Sequence, residues 1–168
     1  VVQRAALDCL LTWRDAWLVA HTEKLHALLE PAKFRDTLAQ LDLSASSEQW
    51  GSARPLTMQV ILRLLYGMLV SRRGLRTSGA GQGARRTAIL AALFECAPDE
   101  MGLLADLMLT SFADRLPEPR KQLGFLGLLG DVLEHLGKPL ASSMPRFVHV
   151  VIAIAASSEP SDPTMRLL

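Results

Sequence analysis

The stretch that decides the fold is Arg54–Arg86, RPLTMQVILRLLYGMLVSRRGLRTSGAGQGARR. Its first half is an apolar run that opens at Pro55, and proline is favoured in the first turn of a helix. The run therefore predicts a central helix that ends near Ser71 and is buried over most of its circumference. A basic, glycine-rich segment follows and predicts a flexible loop over residues 72–84.

The chain as a whole has the composition of an all-α protein. Of its 168 residues, 49% are hydrophobic and only 5% are aromatic, and the abundant leucine and alanine favour helices. The pattern predicts about seven or eight helices paired as in HEAT or armadillo repeats, which is an α-solenoid. We expect residues 1–168 to be one segment, an internal fragment of a larger protein, since no initiator methionine is present. Helices are expected over residues 1–21, 22–30, 31–41, 55–71, 85–97, 98–116, 120–136 and up to 156.

Several residues carry packing predictions. Trp13 and Trp17 lie one turn apart and are expected in the core. Gly67, inside the central helix, predicts the close approach of a neighbouring helix, and the repeat of Gly124, Gly127 and Gly130 predicts the same for the helix over 120–136. Three further positions are assigned from the same patterns: Leu64 and Leu129 to the core, and Gly137 to the C-terminal cap of its helix.

Charge is distributed unevenly along the chain. The formal net charge is +1, yet no acid occurs between Glu48 and Glu95. Arginine forks suit phosphate groups, so the basic loop is the candidate binding site for RNA or for an acidic protein surface; a solvated linker is the third reading. Arg63, on the central helix, pairs internally or reaches a phosphate. The candidate site residues are Arg72, Arg73, Arg76, Arg85 and Arg86.

No pattern in the sequence indicates an enzyme. The four histidines are scattered over different predicted helices, without a nucleophile or carboxylate at a familiar spacing. The GAGQG segment, Gly79–Gly83, lacks the Lys-Ser/Thr ending of a phosphate-binding loop and follows no strand. Cys9 and Cys96 are expected as reduced thiols in the core. We therefore expect no catalytic residue, no metal site and no cofactor. The most apolar run, Phe147–Ala156, is too short for a membrane span of ~20 residues.

Four pieces of the chain carry a family resemblance. They are KFRDTLAQLDLS at 33–44, RPLTMQVILRLLYGMLVSRRG at 54–74, ARRTAILAALFECAPDEMGLLADLMLTSF at 84–112 and KQLGFLGLLGDVLEHLG at 121–137. Together they resemble the down-regulated-in-metastasis (DRIM) family, very large HEAT-repeat proteins of the small-subunit processome. The chain departs from the family pattern at Met68, where a basic residue is expected, which argues against RNA contact by that turn.

The resemblance implies a non-enzymatic scaffold segment in small ribosomal subunit biogenesis. Family members are nucleolar, associate with the U3 small nucleolar ribonucleoprotein and act in early pre-rRNA processing. The implied partners are processome proteins, together with pre-rRNA or U3 small nucleolar RNA through the basic loop; no membrane or small-molecule substrate is implied. The alternative is a HEAT or armadillo adaptor that binds proteins or peptides in transport or signalling.

Overall fold

The computed structural model describes residues 2–71 and 79–157, and the regular structure in these two ranges is helical, without a strand. The all-α prediction is confirmed. Short 3-10 turns precede α5, follow α7 and precede α9. The helices are α1 Val2–Leu11, α2 Ala16–Val19, α3 Thr22–Leu29, α4 Phe34–Gln40, α5 Arg54–Val70, α6 Gly79–Leu93, α7 Pro98–Leu109, α8 Pro119–Leu136 and α9 Met144–Ser157.

The helices pack in a repeating order. Neighbours along the chain pair, as α3 does with α4 and α5 with α6. Each pair also packs on the next, because α1 contacts α3, α4 contacts α6, α5 contacts α7 and α6 contacts α8. Contacts between a helix and the second helix after it are those that stacked helical pairs make in a solenoid. This order places α5 and α6 in the middle of the described helices.

The core runs along α5, as the sequence predicts. Leu64 and Leu129 are 7% and 5% exposed, so their assignment to the core is confirmed. Fully burying such a side chain is worth about 1.5–3 kcal/mol, and α5 alone buries seven residues. They are Thr57, Met58, Ile61, Leu62, Leu64, Leu65 and Leu69.

The N-terminal segment differs from the single helix expected over residues 1–21. Helix α1 ends at Leu11, and Arg14 adopts a positive φ of 54° before α2 begins. The break resets the helical phase, so Trp13 and Trp17 no longer share a face. Trp17 packs against the core, whereas Trp13 is 77% exposed, so its predicted burial is wrong. The buried residue of α1 is Leu7.

The helix after the basic segment begins earlier than the sequence suggests. Residues 72–78 of the predicted loop lie outside the described residues, and their conformation stays a prediction. Helix α6 begins at Gly79 rather than at Arg85. Each glycine costs about 1 kcal/mol relative to alanine, but a helix already anchored by buried Ile89 and Leu90 gains one hydrogen bond for each residue added.

The glycine predictions have mixed outcomes. At Gly67 the space of a Cβ is taken by the end of the Gln3 side chain, whose Nε2 would lie 2.2 Å from that Cβ and donates a hydrogen bond to the carbonyl of Leu64. The close approach of a whole helix at Gly67 stays a prediction. Gly137 is the C-cap of α8, also as predicted. The close packing expected along α8 is wrong, because a Cβ on Gly127 or Gly130 would meet no atom within 4 Å. That strip of α8 faces open space.

Candidate interaction site

Arg54, at the start of the central stretch, is bound to the first turn of α7. Its Nε donates to Oε1 of Glu100 at 2.8 Å, and its Nη2 donates to Oε2 at 3.0 Å and to the carbonyl of Leu43. Both side chains are largely buried, with 15% and 13% exposed. Oε2 of Glu100 also accepts the backbone N–H of Ala97 at 2.8 Å, which satisfies a donor at the start of α7. Arg54 is therefore a structural residue, and Glu100 joins it to the first turn of α7.

Arg85, the first of the two arginines on α6, lies between two side chains of other helices. Its guanidinium carbon is 4.4 Å from the centre of the Phe34 ring on α4, a cation–π contact. On the other side, Nη2 is 2.8 Å from Sδ of Met68 on α5. Burial lowers the pKa of Arg85 from its ordinary value. A basic residue at position 68 would place a second positive charge against this guanidinium.

Arg86 reaches both α5 and α8. Its Nη1 donates to Oδ2 of Asp131 in a short ion pair, and its Nη2 donates to the carbonyl of Leu69 at 3.2 Å. The two charged side chains remain 34% and 38% exposed. The geometry therefore gives Arg86 an internal partner, although a solvent-accessible one.

The remaining arginines of the central stretch fall into two groups. Arg63 is exposed, and its Nη1 donates to the carbonyl of Gln59 at 2.9 Å, so it pairs with a carbonyl one turn back on its own helix. Arg72, Arg73 and Arg76 lie outside the described residues. The structure thus brings Arg85 and Arg86 together on α6 and shows their contacts, while partner binding by all five candidate residues stays a prediction.

A groove that sequence reasoning missed opens beside the end of α5. It has a volume of about 620 Å³ and lies between the C-terminal end of α5, the end of α7 and the N-terminal half of α8. Phe112 and Phe125 meet at its base with ring centroids 4.5 Å apart. Leu123 and Val70 on its walls are 70% and 47% exposed. The signal in the sequence was the glycine repeat of α8, which we had assigned to a buried helix contact.

Cations line this groove. Arg86, Arg120 and Lys121 are its charged lining residues within the described ranges, and no acidic residue lines it there. Arg120 and Lys121 are exposed, and the ion pairs of the described residues include neither of them. Glu118 lies in an adjoining hollow, beside Lys121 and Arg115.

No group of three or more His, Cys, Asp or Glu side chains among the described residues could hold a metal ion. Cys96 is buried as predicted, and burial raises the pKa of its thiol to about 12, so the thiol stays protonated. Cys9 is exposed, so its predicted place in the core is wrong. None of the described helices is both long and apolar enough to cross a membrane.

Fold and groove define an all-helical protein of stacked helix pairs, and comparisons with known proteins identify its family. The model of the family "U3 small nucleolar RNA-associated protein 20, N-terminal" matches residues 1–164, and the chain belongs to this family. It is 29% identical over 176 residues to U3 small nucleolar RNA-associated protein 20 of Schizosaccharomyces pombe. That alignment covers 90% of this chain and 7% of the relative, so the chain spans a small part of the relative's length. No solved structure matches. The resemblance noted from the sequence is confirmed.

Proposed function

We propose that this chain is a non-enzymatic scaffold segment in small ribosomal subunit biogenesis, acting within the small-subunit processome in the nucleolus. The observation that supports the proposal most strongly is the family match over residues 1–164, because the family is named for a U3 small nucleolar RNA-associated protein. The stacked helical pairs support the scaffold role, since such solenoids present extended surfaces to partners.

We further propose that contact with pre-rRNA or U3 small nucleolar RNA is made by the basic segment. Arg85 and Arg86 have internal partners, so they are secondary candidates for this contact. The principal candidates are Arg72, Arg73 and Arg76. Three arginines without interleaved aromatic residues suit phosphate groups rather than bases. Binding of this kind weakens steeply with salt, because each neutralised phosphate releases counterions.

The experiment that tests the proposal uses the intact parent protein. It would be tagged, recovered from cell extract, and the RNA that accompanies it sequenced. The proposal predicts enrichment of U3 small nucleolar RNA and of small-subunit precursor RNA over total RNA. Recovery of transport or signalling proteins without these RNAs would contradict it and favour the adaptor alternative.

A further inference from the structure

The groove beside α5 has features that the proposed RNA contact does not use. Its volume of about 620 Å³ lies within the range of about 300–1,000 Å³ typical of binding pockets. Its most exposed apolar residues are Leu123, on the first turns of α8, and Val70, at the end of α5. Exposed apolar side chains gathered around a concave surface mark interaction sites more often than isolated ones do.

The side of the groove that α8 forms carries few side-chain atoms. Gly124 and Gly127 line the groove, and an added Cβ on Gly127 would meet nothing within 4 Å. A partner's backbone or apolar side chain can therefore lie close against this turn of α8. An amphipathic helix presents apolar residues at i, i+3, i+4 and i+7, and such a stripe is what helix-binding grooves with apolar walls take up.

The positive charge of the groove favours a partner that is negatively charged. Arg120 and Lys121 are exposed at one end, where the described residues offer them no ion pair, while Arg86 is already bound to Asp131. Complementary charge around an apolar centre is how interfaces choose partners. A partner helix with acidic residues beside its apolar stripe would supply the missing carboxylates.

Protein is favoured over RNA as the occupant by the character of the walls. A groove that holds the bases of single-stranded RNA presents exposed aromatic faces on which those bases stack. Here Phe112 and Phe125 pack on each other, and Tyr66, the third aromatic residue of the lining, is half-buried. The exposed lining residues are Val70, Ser71, Ser111, Arg120, Lys121, Leu123, Gly124 and Gly127, none of which is aromatic. We propose that the groove binds an acidic amphipathic helix of a partner protein, with Leu123 and Val70 against its apolar stripe and Arg120 and Lys121 against its carboxylates. This inference rests on the proposed scaffold role.

The test uses the full-length parent protein in isolated particles. A photo-crosslinking residue, p-benzoylphenylalanine, replaces Leu123 in one variant and Ile152 in a control. Ile152 is also exposed, at 63%, but lies on α9 away from the groove. Mass spectrometry then identifies the segment joined to each position. The inference predicts one protein segment at position 123, with acidic residues flanking a helical apolar repeat, and none of it at position 152.

Reversing the charge of the two exposed cations tests whether the partner is acidic. In the Leu123 crosslinking variant, Arg120→Glu with Lys121→Glu is expected to lower the yield of that adduct at least ~10-fold, because like charges then face each other. Arg63→Glu, on the exposed face of α5 outside the groove, is expected to leave the yield unchanged. A nucleotide adduct at position 123, a neutral or basic segment there, no adduct, or an unchanged yield after reversal would each overturn the inference.

Recovery of U3 small nucleolar RNA from the same particles separates this inference from the proposed function. Particles that contain the RNA but give no acidic adduct at position 123 contradict only the groove. Absence of the RNA from particles of the unaltered protein contradicts the proposed function, whatever the groove binds.

Discussion

Two arginines near the ends of the central stretch have the same kind of partner and different environments. Arg54 pairs with Glu100, 46 residues away, and Arg86 pairs with Asp131, 45 residues away. The first pair is largely buried, bidentate and joined to a backbone carbonyl. The second is more than one-third exposed on both sides. A stretch of arginines without nearby acids in the sequence therefore does not predict an exposed positive surface, because acidic residues distant in the sequence can pair with them in the fold.

The two ion pairs differ in how much they contribute to the free energy of unfolding. Breaking a buried pair leaves an uncompensated charge in a region of low dielectric constant and costs several kcal/mol. An exposed pair contributes little and is screened by salt. The two pairs should therefore respond differently to the same substitution.

The largest effect is expected from Glu100→Ala. It leaves the guanidinium of Arg54 buried without its carboxylate and also removes the acceptor for the backbone N–H of Ala97. We expect the free energy of unfolding, measured by urea denaturation, to fall by about 3 kcal/mol. The control is Asp99→Ala, an exposed acid one residue earlier, with an expected loss of at most about 1 kcal/mol. Equal losses for the two variants would show that the Arg54 pair is not structural.

Arg85→Ala should have the next largest effect. It removes a cation from the Phe34 ring and the contact of its Nη2 with Sδ of Met68. Thermal and urea denaturation should show a loss of about 1–2 kcal/mol. Arg63→Ala removes the same charge from an exposed position and is the matched control, with a change close to zero. If Arg85→Ala did not lower the free energy of unfolding, the contacts of Arg85 would not be structural. Arg85 would then be as strong a candidate for partner binding as Arg72, Arg73 and Arg76.

Asp131→Ala tests the exposed pair. A loss of about 0.5–1 kcal/mol is expected at low ionic strength, and it should shrink as salt screens the pair. Urea denaturation at two salt concentrations provides the measurement. A salt-independent loss as large as that of Glu100→Ala would remove the contrast between the two ion pairs.

The smallest effect, of opposite sign, is expected from Gly83→Ala. Gly83 lies inside α6, and an added Cβ meets no atom within 4 Å. Alanine should raise the free energy of unfolding by about 0.5–1 kcal/mol, since glycine is the poorer helix former. Gly127→Ala, in α8, is the matched control with the same expectation. If residues 79–84 formed the loop that the sequence suggests, Gly83→Ala would give no such gain.

These contrasts explain how much the sequence could predict. Apolar periodicity and first-turn prolines identified the helices from Thr22 onward, because both signals are local. The break at Arg14 was missed, since nothing in the pattern indicates its positive φ. The exposure of Leu123 could not be read from the sequence, because an apolar repeat does not reveal whether a neighbouring helix covers that face.

The candidate site was the least predictable part. The two ion pairs join positions more than 40 residues apart, and no local spacing rule connects them. The groove is assembled from α5, α7 and α8, so it exists only after the pairs have stacked. The family resemblance, by contrast, depended on short local motifs and was readable in advance.

RNA contact by the basic segment is best tested with a map of RNA crosslinks on the intact protein. Ultraviolet crosslinking, followed by mass spectrometry of the peptide–RNA adducts, would show which arginines of this chain contact U3 or precursor RNA. We expect adducts on the peptide that contains Arg72, Arg73 and Arg76, and none at Arg54, whose partners are internal. Adducts at Arg54, or at Arg85 and Arg86 without any at Arg72–Arg76, would contradict this expectation.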